Sequence, residues 1–438
     1  MNIKLHPSTV SGTVKAPPSK SSGQRLLLLS LSKEKTIIED LGQDADTQAM
    51  LTVLKELPLQ LENKDEQLLI QSEWQPNVES IGYWQDSLEV DIGESGFALR
   101  SLMFVLPLFS KHVIMHQQGT LQNRDFTEII PLLKALGVEV KFKPEKTILK
   151  GILNLEAIKS LERWPALQSS QYLSGFLILV SLLIDWKLLE IDEVAFEVDE
   201  VKSLPYVFQT IEHLEITGHV IPVFNQNKIK FSPSVKASNR WVVDKDWSSA
   251  ALLLAAGVST SQEFSVAGLD LFRTQADKKI LEALQDMGMQ MSIRSDEIEL
   301  RYTSIKNAFQ IDATHCPDLF PALAVMASCC EGTSVIEGVH RLKNKESDRS
   351  QAIVESFQVL GIDIKIQDDL MIIKGGKPQG GVVHSFKDHR MAMALSILAM
   401  RSEDIVEVRN AEVIKKSYPE FFEDLTALGL RFEVSNEV

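Results

Sequence analysis

Apolar residues along this chain recur first at helical spacing and then at alternate positions, and a glycine repeatedly marks the change. Ile129 to Leu136 reads as an amphipathic helix, Gly137 follows, and Val138-Glu139-Val140 alternates as a strand. The same order returns at Ile280 to Met287 before Gly288-Met289-Gln290-Met291. It returns again at Ile353 to Leu360 before Gly361-Ile362-Asp363-Ile364, and at Phe422 to Leu428 before Gly429-Leu430-Arg431-Phe432. A weaker copy runs from Val207 to Thr217 before Gly218, and a degenerate one from Thr47 to Leu57, with Pro58 in place of Gly. Each glycine suits the left-handed position that ends a helix. The markers fall roughly 70 to 80 residues apart, the signature of an internally repeated unit.

Six helix-then-strand units predict an α/β protein of two lobes with three units each. Helices with one apolar stripe and strands with one apolar face must bury those faces together. A ligand cleft is expected between the lobes. Periodicity alone leaves the strand order and the position of the hinge open.

Length agrees with this division, since 438 residues exceed a comfortable single core. The hydrophobic fraction of 44% and charged fraction of 24% are those of a globular chain. Three cysteines, Cys316, Cys329 and Cys330, are too few for a disulfide framework, so a reducing, cytoplasmic setting is expected. No signal peptide is expected, because the first residues lack a long apolar stretch. The longest apolar run, Phe176 to Ile184, stops at Asp185 and is too short for a bilayer. A net charge of −15 argues against nucleic acid as a partner. It also repels small anions, unless cations are gathered locally.

Such gatherings occur where helices begin. Pro17-Pro18-Ser19-Lys20-Ser21-Ser22-Gly23-Gln24-Arg25 precedes the apolar run Leu26 to Leu29. A helix start near Ser19 aims backbone amides, Lys20 and Arg25 at an anion. Gly93-Glu94-Ser95-Gly96-Phe97-Ala98-Leu99-Arg100 is a Gly-bounded turn that lets backbone approach a ligand. Arg124 is the only cation in Leu121-Gln122-Asn123-Arg124-Asp125-Phe126. Gln168-Ser169-Ser170-Gln171-Tyr172 offers neutral donors at another helix start, and Lys202-Ser203-Leu204-Pro205-Tyr206 puts a Ser and a Tyr beside a further one. Taken singly, each of these is equally well an ordinary capped helix.

The densest segment follows. Asp318 stands after Pro317 beside the apolar run Leu319 to Ala327, where desolvation is expected to raise a carboxyl pKa toward the range of a general base. Arg341-Leu342-Lys343-Asn344-Lys345-Glu346-Ser347-Asp348-Arg349 then interleaves four basic and two acidic residues. Lys387-Asp388-His389-Arg390-Met391-Ala392-Met393 and Lys415-Lys416-Ser417-Tyr418-Pro419 complete the set. No second His or Cys lies at ligand spacing from His389, so no metal is expected there. Neither a P-loop nor a dinucleotide fingerprint is present.

Together and in this order, these segments resemble the enolpyruvyl transferase family across nearly the whole chain. Lys345-Glu346-Ser347-Asp348-Arg349 and Asp388-His389-Arg390-Met391-Ala392-Met393 are the most specific elements. The resemblance is to the branch that transfers the enolpyruvyl group of phosphoenolpyruvate to the 5-hydroxyl of shikimate 3-phosphate. That reaction releases phosphate and serves the shikimate pathway to chorismate and the aromatic amino acids. The implied fold is a two-lobed inside-out α/β barrel, each lobe three βαβαββ repeats. Residues 1-17 and 242-438 would form the lobe containing both termini and 18-241 the second, with crossings near Lys15 to Pro18 and Arg240 to Asp244.

The resemblance also assigns roles. Shikimate 3-phosphate would be held by Lys20, Ser21, Arg25, Ser169, Ser170, Gln171, Ser203, Tyr206, Asp318, Arg341 and Lys345. Phosphoenolpyruvate would be held by Lys20, Gly96, Arg124, Gln171, Arg349, Arg390 and Lys416. Asp318 is the candidate base for the hydroxyl, and Glu346, with Lys345 nearby, handles proton traffic at the methylene carbon. The division among these three catalytic residues stays open. No metal or organic cofactor is needed, because the enol phosphate carries its own leaving group. Asp246 with Ser248-Ser249, and Gln275-Ala276-Asp277, match family positions read as structural. Partners are then small anions alone, with neither nucleic acid nor membrane, and the chain is expected to act as a monomer.

Several positions depart from the family pattern. Its turn usually reads Gly-Asn-Ala-Gly-Thr, where this chain has Glu94, Ser95 and Phe97. Pro18, Gln24, Asp125 and Arg341 replace a usual Gly, Asn, Pro and Asn, and Ser101 stands where a Pro often fixes the helix start. Glu94 beside an anionic substrate calls for a partner, with Arg100 and Arg124 the candidates. Two alternatives follow. One is the sister activity on UDP-N-acetylglucosamine, but its first motif carries Lys-Asn and a loop cysteine stands near the position of Arg124. Here Ser21 follows Lys20, and no cysteine precedes Cys316. The other is a non-catalytic or altered-substrate member, suggested by the altered turn and opposed by retention of Asp318, Glu346 and Arg390.

Overall fold

The structure, a computed structural model, describes every residue except 73, 200, 235–237, 261, 344 and 436–438, so Asn344 of the charged run lies outside the described residues. Contacts divide the chain into two compact units, Met1–Pro17 with Asp244–Val438, and Pro18–Val243. Each has its own apolar core.

Among the described residues, six four-stranded sheets, three per unit, follow one scheme. In the plainest copy, Leu88–Asp91 runs parallel to His112–His116, which pairs antiparallel with Lys146–Gly151, which in turn pairs antiparallel with Val138–Lys143. The helix Gly96–Val105 lies between the first two strands in sequence, and Ile130–Ala135 between the second and third. This is a βαβαββ unit whose parallel pair requires a crossover and whose last two strands form a hairpin.

The two helices of a unit differ in kind. The second is the amphipathic one that the periodicity marks, and Gly137, Gly218, Gly288, Gly361 and Gly429 after it all have positive φ. The first is buried nearly all round. Every residue of Phe320–Ser328 and of His389–Met400 is buried, and these two pack on each other and on Trp247–Ser259. In the other unit the corresponding helices are Lys20–Leu29, Gly96–Val105 and Ser170–Asp185. A helix apolar on all faces belongs inside, with the sheets outside it. Both units are therefore inside-out α/β assemblies.

Three sheets are completed by distant segments. Arg240–Val242 runs parallel to Lys35–Glu39, and Gly12–Lys15 runs parallel to Phe264–Ala267. Asn2–Leu5 sits between Val406–Arg409 and Phe432–Ser435, pairing Ile3 with both Val408 and Val434. Among the described residues no helix is long and apolar enough to cross a membrane.

Candidate active site

The charged and capping residues of the inner helices gather at and shortly after their starts. Ser19, Ser95 and Ser169 cap the three of Pro18–Val243, accepting from the amides of Ser22, Ala98 and Gln171. Asp246 and Asp388 cap two in the other unit, and the third is entered through the turn Pro317–Leu319 that carries Asp318. Helix starts present unpaired N–H groups and a positive dipole end, so each unit directs anion-attracting termini at its own cluster of charged side chains.

In the unit with both termini, the hub is Arg349, which is fully buried. Its Nε donates to Asp388 Oδ2 at 2.9 Å and one terminal nitrogen to Asp318 Oδ1 at 2.8 Å. The other terminal nitrogen donates to Glu346 Oε2 at 2.9 Å and to Asp388 Oδ1 at 3.3 Å. Asp318 also takes Arg390 at 3.1 Å and lies 3.3 Å from Lys345 Nζ, while Lys416 Nζ lies 3.8 Å from Glu346. Arg341, in the turn Val339–Arg341, is near enough for its charge to bear on Lys345. Asp318, Arg341, Lys345, Glu346, Arg349, Arg390 and Lys416 thus form one cluster. Desolvating each ion costs several kcal/mol, so this network is better explained by a task than by stability.

The Asp318 pKa does not move upward, as its place in the sequence suggests, but downward. Burial does push it up, but Arg390, Lys345 and Arg349 outweigh burial and the charge of Glu346 and hold the carboxyl well below the usual range. The Lys345 pKa is lowered as well, because burial pushes it down against the pull of Asp318.

The cluster of Pro18–Val243 is built from neutral partners around arginines. Arg25, nearly fully buried, donates to Thr210 Oγ1 at 2.8 Å and to the carbonyls of Ser21 and Tyr206 at 2.7 and 3.2 Å. Its guanidinium carbon stands 4.5 Å from the centre of the Phe97 ring. Burial lowers its pKa to about 9, so an incoming anion would restore what desolvation removes. Ser203, just before the helix Leu204–Ile216, is left-handed at φ 55° and turns its chain into the Tyr206 turn. Lys20 Nζ pairs with Asp46 at 3.1 Å.

Gly96 is where the other residues meet. A Cβ there would come within 2.9 Å of Arg100, 3.2 Å of Arg124 and 3.8 Å of Gln171 Oε1. Arg100 donates to Gln171 Oε1 at 2.8 Å and lies over the rings of Phe126 and Tyr172. Ser169 and Ser170 bring Gln171 to this point through the helix start. Glu94 accepts from the amide and hydroxyl of Thr120 at 3.3 Å, and that hydroxyl also accepts from Arg124 at 3.4 Å. The altered turn is therefore tied to the arginine loop through Thr120.

Ser101 does not stand at a helix start. Gly96–Val105 begins five residues earlier, capped by Ser95, and the Ser101 hydroxyl donates back to the Phe97 carbonyl at 2.7 Å.

Sequence reasoning missed the acids behind Lys20. Asp44, nearly fully buried, caps Ala45–Lys55, and its pKa is pushed up to about 7 by burial, against the pull of Lys20. An Asp just before a helical pattern is a capping signal, but nothing local says that it faces Lys20. Arg100, which the sequence offers only as a partner for Glu94, follows Gly96 by one helical turn and donates to Gln171. Among the described residues no group of three or more His, Cys, Asp or Glu is arranged to hold a metal ion.

The crystal structure of the enolpyruvyl transferase NikO from Streptomyces tendae is similar in fold, with TM-score 0.67, 14% identity and coverage of 100% of this chain and 99% of that one. The EPSP synthase structure from Acinetobacter baumannii aligns with TM-score 0.77 at 21% identity, covering 99% of this chain and all of that one. The fold is that of the enolpyruvyl transferases. The family described as EPSP synthase (3-phosphoshikimate 1-carboxyvinyltransferase) matches residues 5–425. A curated relative from Clostridium perfringens, named 3-phosphoshikimate 1-carboxyvinyltransferase, is 34% identical over 433 residues, 98% of each chain. The chain belongs to the EPSP synthase family.

Proposed function

We propose that this chain transfers the enolpyruvyl group of phosphoenolpyruvate to the 5-hydroxyl of shikimate 3-phosphate with release of phosphate. Family membership gives the reaction, and the Asp318–Arg349–Arg390 cluster is the observation that carries it to these residues. Two phosphates and two carboxylates must be neutralised, and each unit contributes cations against a background of net charge −15. Shikimate 3-phosphate is assigned to Lys20, Ser21, Arg25, Ser169, Ser170, Gln171, Ser203 and Tyr206, with Asp318, Arg341 and Lys345 closing on it. Phosphoenolpyruvate is assigned to Lys20, Gly96, Arg124 and Gln171 with Arg349, Arg390 and Lys416.

The chemistry then runs in two halves. The 5-oxygen bonds to C2 of phosphoenolpyruvate as its proton passes to Asp318, and C3 takes a proton from Glu346 or Lys345. The tetrahedral adduct next loses a proton from C3, the C2–C3 double bond re-forms, and the C2–O bond to phosphate breaks. A phosphoenolpyruvate carboxylate drawn to Arg349 and Arg390 competes with Asp318 for those cations and so restores basicity to Asp318. Preorganised cations stabilise the developing charge, and joint binding removes much of the entropic barrier. We assign a cytoplasmic, monomeric enzyme with no nucleic-acid or membrane partner.

Phosphate release from phosphoenolpyruvate tests this. It is expected with shikimate 3-phosphate and absent with UDP-N-acetylglucosamine, and no release with either would leave only a non-catalytic member of the family.

A further inference from the structure

One buried carboxylate near the cluster has no part in the reaction as described. Asp277 is 2% exposed, in the turn Ala276–Lys279, and accepts a hydrogen bond from the hydroxyl of Ser248 on the first turn of the inner helix Trp247–Ser259. That helix packs against both the Asp277 turn and the Asp318 turn. Gln275 fixes the arrangement: its side-chain oxygen accepts from the Trp247 amide at 3.0 Å and its nitrogen donates to the Lys245 carbonyl at 2.8 Å. One inner helix thus holds this carboxylate through Ser248 and also abuts the turn that carries the candidate base.

We propose that Asp277, held by Ser248, is a positioning residue that sets the proton affinity of Asp318. The proposal rests on the assignment of Asp318 as base for the 5-hydroxyl. Facing Asp277 are Asp318 and Cys316 from the adjoining turn, Arg390 from His389–Met400, and Asp246 from the start of Trp247–Ser259. On its own turn, Lys278 donates to the Leu271 carbonyl at 2.9 Å and Lys279 pairs with Glu282 at 3.6 Å, so their charges are engaged elsewhere.

Burial and the charge of Asp318 push Asp277 up to about 7, while Asp318 itself is held well below the carboxylate range. Below neutrality Asp277 therefore carries a proton and Asp318 is a bare but weak base. As the pH rises, Asp277 ionises and competes for Arg390. Its negative charge then raises the proton affinity of Asp318, which takes the proton of the C5–O–H group more readily. Activity should gain a rising limb near neutrality that belongs to Asp277, although Asp277 touches no substrate.

The test is the pH profile of kcat/KM for phosphoenolpyruvate at saturating shikimate 3-phosphate. Asp277→Asn keeps an acceptor for Ser248 and is expected to abolish the limb, leaving a flat profile about 10-fold below wild type at high pH. Ser248→Ala removes a donor to the ionised form and is expected to move the limb upward by about half a unit to one unit. Loss of rate by the same factor at every pH, or a wild-type limb in Asp277→Asn, overturns the proposal. Carboxyl carbon NMR titration of the free protein tests the coupling without substrate. Asp277 is expected to titrate near neutrality, with a second inflection at Asp318 that disappears in Asp277→Asn. A titration of Asp277 below about pH 5 overturns the proposal even if the enzyme is active, whereas inactivity with this titration intact overturns the functional assignment alone.

Discussion

A carboxylate facing three cations is a weak base, and Asp318 is such a group in the free protein. Asp318→Asn removes the acceptor for the hydroxyl proton and is expected to lower kcat by about 10²-fold or more, with the fold retained. Near-normal turnover in a folded variant would take Asp318 out of the mechanism. Asp44 offers a prediction about stability. Its folded pKa, about 7, lies above the unfolded value, so the folded state binds the proton more tightly, and stability is lost as pH rises from about 4 through 7. Asn caps a helix as well as Asp does and stays neutral. Asp44→Asn is therefore expected to match wild type near pH 4 and to exceed it at pH 8 by on the order of 1 kcal/mol in urea unfolding. A deficit at pH 8 would count against this account. The residues proposed to bind anions stand out in the sequence because Lys and Arg cluster at helix starts. The sign of the Asp318 shift was not visible, since it depends on Arg390, 72 residues away in sequence.

At the scale of elements, the amphipathic helices were legible because their stripes and terminal glycines are local signals. The inner helices were harder, as a segment apolar on all sides has no period to read, and Ser101 fell inside one rather than at its start. Two inner helices approach closely at Gly175, where a Cβ would meet the Ser101 Cα at 2.7 Å and the Arg100 carbonyl at 3.2 Å. Both are backbone atoms and cannot rotate away. Gly175→Ala must push Ser170–Asp185 off Gly96–Val105, at an expected cost of about 1–3 kcal/mol. Because Arg100 on one of these helices donates to Gln171 on the other, KM for phosphoenolpyruvate should rise as well. A variant as stable as wild type by denaturant unfolding would mean that the helices separate more easily than this contact implies.

For the whole molecule, the repeat count follows from periodicity, but the strand exchanges do not. Arg240–Val242 joins a sheet formed some 200 residues earlier and Asn2–Leu5 a sheet formed over 400 residues later, and only tertiary packing selects such partners. These exchanges seal each unit and leave two short links, near Pro17–Pro18 and Val243–Asp244, as the covalent connections between them. The residues assigned to shikimate 3-phosphate come from both units, with Arg25 in one and Asp318, Arg341 and Lys345 in the other. A ligand that satisfies both sets can do so only by fixing the units with respect to each other, and it selects the conformation that allows this. Arg25 has neutral partners, whereas Arg349 has carboxylates, so the phosphate is drawn first to the Arg25 side and the second set engages afterwards. Saturating shikimate 3-phosphate is therefore expected to reduce the radius of gyration in small-angle scattering, and to tighten phosphoenolpyruvate binding measured by calorimetry. Replacing Arg25 with Ala should abolish both effects, while Lys416→Ala should leave the first and weaken the second. An unchanged radius together with unchanged phosphoenolpyruvate affinity at saturation would show that the two sets of residues do not act on one ligand.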